Sequence, residues 1–205
     1  MRFDDKPGDP ARELVAGKNG AYPTSGVTYG ATGAIANDPS TAVTFDGTTG
    51  HVKLENDLFP FAGLAPFSVE VWVNTTASKN AQIIDHESFE GPRVGWVMLM
   101  DTNGGVTFER WGSFHNAVGG GPINDGKWHH LVGTFDGARM KLYIDGVLTE
   151  NNTSNVTIVY DASSPFAIGK QSCCSNAYPG SVDEIAIYDK ALLDVQINAH
   201  LAAAK

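Results

Sequence analysis

The sequence predicts an all-β protein, a two-sheet antiparallel β-sandwich with a short C-terminal helix. Three observations carry that expectation. Between Gly126 and Leu148 the residues alternate with period two: Trp128, His130, Val132 and Thr134 against His129, Leu131, Gly133 and Phe135, then Met140, Leu142 and Ile144 against Lys141, Tyr143 and Asp145. Asp136-Gly137 and Asp145-Gly146 punctuate this run, and Asp-Gly marks a hairpin because type I′ turns need positive φ and match strand twist. The stretch therefore reads as a three-strand meander. Glycine at 23, proline at 10 and aromatic residues at 10% suit a chain of many strands and turns. The length of 205 residues suits one domain, since large sandwiches run to roughly 200–250 residues.

Along the chain, residues 1–12 mix Asp, Lys, Pro and Gly without periodicity and read as an arm or linker ahead of a domain over 13–205. Leu14-Val15-Ala16 and Gly20-Ala21-Tyr22 suit an edge strand, and Gly26 to Gly30 a short one. Thr41 to Asp46 turns Val43 and Phe45 inward, and Gly47 to Gly50 is expected to fold it back on His51 to Leu54 as a hairpin. Phe67, Val69, Val71 and Val73 share one face of the next strand, which leaves Trp72 on the other. After Gln82 to Asp85 a polar loop is expected, with Asp85 to Glu90 solvated. Arg93 to Met100 is apolar on both faces, the pattern of a strand in mid-sheet. Val106 to Trp111 is a further strand, and the glycine triplet in Gly112 to Gly121 predicts an open loop. Another strand begins at Pro165, and Gln171 to Pro179 is a loop. Ser181, Asp183, Ile185 and Ile187 are expected on one face of the last strand. Asp194 as N-cap, with Ile197 and Leu201 four apart, predicts the helix.

The formal charge of −9, without any basic run, argues against nucleic acid or an anionic membrane as partner. No stretch has the apolar length of a membrane-spanning helix, and Met1 to Asp5 lacks the apolar core of a signal peptide. A surface-exposed or extracellular location, the virion surface included, is then reached as part of a longer protein or by assembly into something larger. Cys173 and Cys174 are adjacent; neighbouring Cα atoms lie about 3.8 Å apart, short for a disulfide, so the pair reads as free thiols or a strained vicinal bridge.

The run Trp128-His-His-Leu-Val-Gly-Thr-Phe-Asp-Gly137, followed by Leu142-Tyr-Ile-Asp-Gly146, resembles the central signature of laminin-G-like, concanavalin A-like lectin/glucanase jelly-roll domains. Thr41 to Gly47, Phe67 to Val73 and Gly180 to Leu192 resemble the same family in the order it uses, so the resemblance runs from about Leu14 to the C-terminus. It implies a jelly roll with Trp128 in the core and, from many relatives, a calcium ion held by Asp carboxylates.

Glycoside hydrolases share this architecture and need two carboxylates about 5–9 Å apart. The Glu-x-Asp-x-x-Glu string of the family 16 glucanases is absent; Asp85-His-Glu-Ser-Phe-Glu90 comes nearest, with its first two acids reversed. Nor is there a Gly-x-Ser-x-Gly, a His-Glu-x-x-His or a phosphate-cradling glycine loop. The expectation is therefore a non-catalytic carbohydrate-binding or adhesion module of a surface or extracellular protein. Sugars offer apolar C–H faces ringed by hydroxyls, so their sites pair an aromatic platform with polar side chains. Trp96, Arg110, Trp111, Phe114, His115, Asn116, Asn176 and Tyr178 are the candidates; the other reading of these aromatics is that they cap the core. Asp183, Asp46 and Asp38 are the candidate calcium ligands, the other reading being that Asp46 serves a turn and Asp183 accepts backbone N–H bonds. The alternative function is a structural decoration or fibre domain of a virion or other extracellular assembly, working through protein contacts rather than a glycan or polysaccharide.

Overall fold

The computed structural model describes residues 1–12, 17–55, 58–59, 61–89, 91–159, 166–170 and 176–205. Strands are numbered along the chain. One sheet sets side by side β1 (Val27–Thr32), β2 (Thr41–Asp46), β13 (Pro179–Tyr188), β4 (Phe67–Asn74), β9 (Trp128–Phe135), β10 (Arg139–Ile144) and β11 (Val147–Thr153). The other holds β3 (Val52–Leu54), β12 (Phe166–Ile168), β5 (Ala81–Ser88), β6 (Val94–Met100), β7 (Val106–Trp111) and β8 (His115–Gly120). Neighbouring strands run antiparallel. Between the sheets the inward rows of β2, β4, β6 and β7 meet in one apolar core. Phe67 is its hub, with the rings of Phe61, Trp96, Phe108 and Phe135 centred 4.6, 5.4, 5.7 and 6.3 Å from its own.

The expected meander is β9–β10–β11, paired as the alternation requires. Asp145 at φ 52° and Gly146 at φ 79° make the tight turn between β10 and β11. The Asp136 turn is one residue longer, and the Asp136 carboxylate holds it by accepting the N–H groups of Ala138 and Arg139 at 2.9 and 2.7 Å. β6 does lie in mid-sheet, between β5 and β7.

Several expectations are corrected. β2 and β3 form no hairpin; the chain crosses from one sheet to the other between them. The expected open loop after Trp111 is largely strand β8, where glycines serve close packing: a Cβ on Gly120 would meet Thr149 Oγ1 at 2.6 Å. The supposed solvated loop from Asp85 is the second half of β5, with Asp85, His86 and Glu87 fully buried. Residues 1–12, read as an arm or linker, lie against the sandwich, with Phe3 in the core and the Met1 amino group donating to the Ile185 carbonyl. Leu14-Val15-Ala16, Glu90, Cys173 and Cys174 lie outside the described residues.

Helix α1 (Asp194–Ala203) packs across the outer face of the seven-stranded sheet. Ile197 meets Val132, Tyr143 and Leu192; Leu201 and Ala204 cover Trp72, with Trp128 beside them. Trp128 is thus half-buried under the helix rather than in the inter-sheet core, because the inward residues of β9 are Leu131, Gly133 and Phe135. Leu193, not Asp194, is the N-cap; its N–H donates to Gln196 Oε1 at 3.0 Å, while Asp194 accepts the Tyr143 hydroxyl at 2.6 Å. Between sheet and helix the buried Glu70 carboxylate receives His130 Nε2 at 2.6 Å, the Tyr188 hydroxyl at 2.8 Å and His200 Nδ1 at 3.0 Å.

Candidate functional site

Helix α1 lies on the outer face of the seven-stranded sheet, and the outer face of the other sheet carries the candidate residues Trp111 and His115. Register sets Glu87, Gly95, Trp111 and His115 in one row across β5, β6, β7 and β8, and Asp85, Val97, Glu109 and Ala117 in the next. Successive residues of a strand point to opposite faces, so these two rows share the outward side. Trp111 ends its strand with the His115 imidazole stacked on it, centroids 3.8 Å apart and planes 18° apart. Gly95, opposite Trp111, has no side chain, and the Arg93 guanidinium lies over the indole at 3.8 Å. Arg93 also lies over the Phe89 ring at 5.3 Å.

Carboxylates hold this stack from below. Arg93 Nε and Nη2 donate to the two oxygens of Glu87 at 2.8 and 2.9 Å, a bidentate pair. Glu109 accepts the Trp111 indole N–H at 2.8 Å and the Thr107 hydroxyl at 3.1 Å, with His115 Nε2 at 3.3 Å. Burial pushes the Glu87 carboxyl above its ordinary range, against the pull of Arg93. Phe114, 64% exposed, stands in the turn between Trp111 and His115. The arrangement offers a rigid aromatic-cationic edge with hydrogen-bonding atoms around it. The outer side of His115, whose side chain is 39% exposed, faces solvent.

Of the residues expected in a binding site, Trp111, Phe114 and His115 come together here. The others do not. Trp96 and Arg110 belong to the row between, which faces the core, and both are fully buried. Trp96 packs on Phe67 and Phe166; Arg110 lies over the Phe135 ring at 3.5 Å and donates to Ser154 and to the Gly63 carbonyl. Asn116 pairs with Arg110 in the register and shares its inward side. Asn176 runs beside Gln82 at the far end of β5, and Tyr178 is fully buried in the core, where burial pushes its hydroxyl up. Sequence reasoning missed Arg93, Glu87 and Glu109. For the two carboxylates a signal was there, in the spacing of two between Asp85 and Glu87 and between Glu109 and Trp111; for Arg93 there was none.

The three candidate calcium ligands do not form a ligand set. Asp46 Oδ1 accepts the N–H groups of Thr48, Thr49 and Gly50 at 2.8, 2.8 and 2.9 Å, and its Oδ2 takes the two threonine hydroxyls. The Thr48 hydroxyl and those amides hold the carboxyl well below the usual range. Asp38, at the other end of β2, is paired to Arg2 at 2.6 Å and to the Ser40 N–H at 2.8 Å. Asp183 does not share a face with Ile185 and Ile187: a β-bulge between Asp183 and Ala186, with Glu184 at φ 46°, turns it to the Trp72 side. There it accepts the N–H groups of Ala34 and Glu184, both at 2.9 Å, and burial raises its carboxyl. Among the described residues no cluster of three His, Cys, Asp or Glu side chains suits a metal.

Comparison with known proteins agrees with this architecture. The binding domain of Paraclostridial Mosquitocidal Protein 1 superposes with a TM-score of 0.71 at 14% identity, covering 91% of this chain and 48% of that one. The receptor-binding domain of botulinum neurotoxin D gives 0.65 at 15%, covering 94% and 51%. The binding domain of botulinum neurotoxin DC, solved in complex with SialylT, gives 0.60 at 16%, covering 93% and 48%; the same domain has also been solved with rat synaptotagmin II. The chain spans about half the length of each, and at these identities the likeness is one of fold. No curated protein matches the chain in sequence. A laminin G family model, described as the concanavalin A-like lectin/glucanases superfamily, matches residues 46–198, and the chain belongs to that family.

Proposed function

We propose that the chain is a non-catalytic carbohydrate-binding module of an extracellular or surface-exposed protein, and that it binds at the β7–β8 end of the six-stranded sheet. The observation that carries this reading is the Arg93–Trp111–His115 stack, fixed from below by Glu87 and Glu109 and flanked by the exposed Phe114. A sugar ring can lay its C–H face on the open side of His115 or on Phe114 and hydrogen-bond to the guanidinium edge; Arg93 Nη1 has no hydrogen bond among the described residues. The lectin-like family and the binding role of the superposed toxin domains support it. Glu87 is tied bidentately to Arg93, which suits a structural carboxylate rather than a general acid. A glycan array should give hits that Trp111→Ala abolishes without lowering the melting temperature appreciably. Absence of any hit, or release of reducing ends from a bound glycan that stops with Glu87→Gln, would overturn the proposal.

A protein-contact role, as in a decoration or fibre domain of a larger assembly, is favoured by one observation. Val147, Leu193 and Val195 are 65, 63 and 72% exposed near the α1 side of the molecule. A complex with an assembly partner lost on Val195→Asp but kept on Trp111→Ala would favour it.

A further inference from the structure

We infer that the glycan taken at the Trp111 site carries a free amino group, a hexosamine with a protonated nitrogen, in preference to an acidic sugar. The inference rests on the carbohydrate-binding reading and adds the ligand's chemical class. It comes from the charges that the fold collects on the outward face. Among the described residues two carboxylates hold the stack there, Glu87 on β5 and Glu109 on β7, against one full cation, Arg93. Both oxygens of Glu87 are bound by Arg93, so the guanidinium charge is already matched within the protein. Arg93 Nη2 also stands 3.8 Å from Glu109, so one guanidinium serves two carboxylates; beyond it, among the described residues, Glu109 is held by the indole N–H, a hydroxyl and the imidazole.

An incoming sialic or uronic acid would bring a further carboxylate beside Glu87 and Glu109, with no cation among the described residues of this face beyond the Arg93 they already share. Like charges in a partly buried site repel with little screening. An ammonium on the sugar meets the opposite situation, since it supplies the missing positive charge and up to three donors. A hydroxyl or an acetamido group falls between, able to hydrogen-bond but not to balance the charge. The remaining cation of Arg93 is useful as an oriented donor to ring or hydroxyl oxygens rather than as an anion trap.

The test is isothermal titration of the full chain, at low ionic strength, with three probes: a glucosamine tetramer, its N-acetylated counterpart and sialyllactose. The glucosamine tetramer should bind about tenfold tighter than the N-acetylated one, the size of a hydrogen bond to a charged group, and sialyllactose should not bind. Added salt should shrink the preference, and Glu109→Gln should reduce it to near equality. The salt series tests the same charge in the unaltered protein should that variant fold poorly. Equal or tighter binding of the N-acetylated tetramer or of sialyllactose would overturn the inference and leave the carbohydrate-binding reading standing. If no probe binds and the glycan array is also blank, the reading beneath it falls as well.

Discussion

Replacing Glu70 by Gln tests how the helix is fastened to the sheet. The Glu70 carboxylate is buried and takes three donors on two oxygens: His130 at 2.6 Å, Tyr188 at 2.8 Å and His200 at 3.0 Å. Burial alone pushes this carboxyl up, yet the His130 bond, backed by Tyr188 and His200, holds it below the ordinary carboxylate range. An amide keeps the shape but has one accepting oxygen, so its NH₂ confronts a donor that is left buried and unmatched. Losing the charge assistance and orphaning one donor should together cost about 2–4 kcal/mol, which for a chain of this length lowers the melting temperature by roughly 5–15 °C. The pH dependence has a fixed sign. A carboxyl whose folded pKa is depressed contributes stability above its unfolded value of about 4.3, and that contribution is lost as pH falls through the folded value. Urea unfolding followed by tryptophan fluorescence from neutral to acid pH should therefore show the two proteins far apart at pH 7 and converging below about pH 4. A cost under about 0.5 kcal/mol at neutral pH, within the range of an ordinary surface substitution, or a gap that does not close on acidification, would refute this account of the network.

Other outcomes follow from close contacts and from satisfied carboxylates. Gly133→Ala puts a Cβ 2.7 Å from the Phe108 ring in the middle of the core, and should lower the urea midpoint by an amount equal to about 1–3 kcal/mol. Gly146→Val strains a residue at φ 79° and pushes a Cβ to within 2.6 Å of Asn198 on α1; thermal melting should report a loss of at least about 1 kcal/mol. A specific calcium ion at 100 times its dissociation constant would add about 2.7 kcal/mol of stability. Because Asp38, Asp46 and Asp183 already hold their own donors, millimolar calcium and EDTA should give the same melting temperature.

Much of the architecture is legible where a period of two meets an unambiguous turn. The Asp145-Gly146 hairpin and the mid-sheet position of β6 are of this kind. The candidate site is legible only in part. Trp111 and His115 are visible as neighbours because only three residues separate them, although the strand that carries His115 reads as open loop; Arg110 and Trp96 are one residue out of phase with them and face the core. The polar string at Asp85 reads as a loop because carboxylates are rarely buried; what buries Glu87 is Arg93, which its local sequence does not reveal. The displacement of Asp183 depends on one extra residue in β13, and a bulge leaves the composition of the strand unchanged. The crossing of the chain between β2 and β3 is likewise invisible to a pattern of short-range alternation.

The position of α1 makes the molecule one-sided. A sandwich has two outward faces that could meet a ligand, and here the helix occupies one of them with Leu201, Ala204 and Ile197. A surface that captures the protein through the helix side would hold the Trp111 edge pointing away from it, while capture through Phe114 would hide that edge. On the proposed reading, binding measured on immobilised protein would depend on which face is tethered, and coupling through the helix would leave the Trp111 edge open to a long polysaccharide.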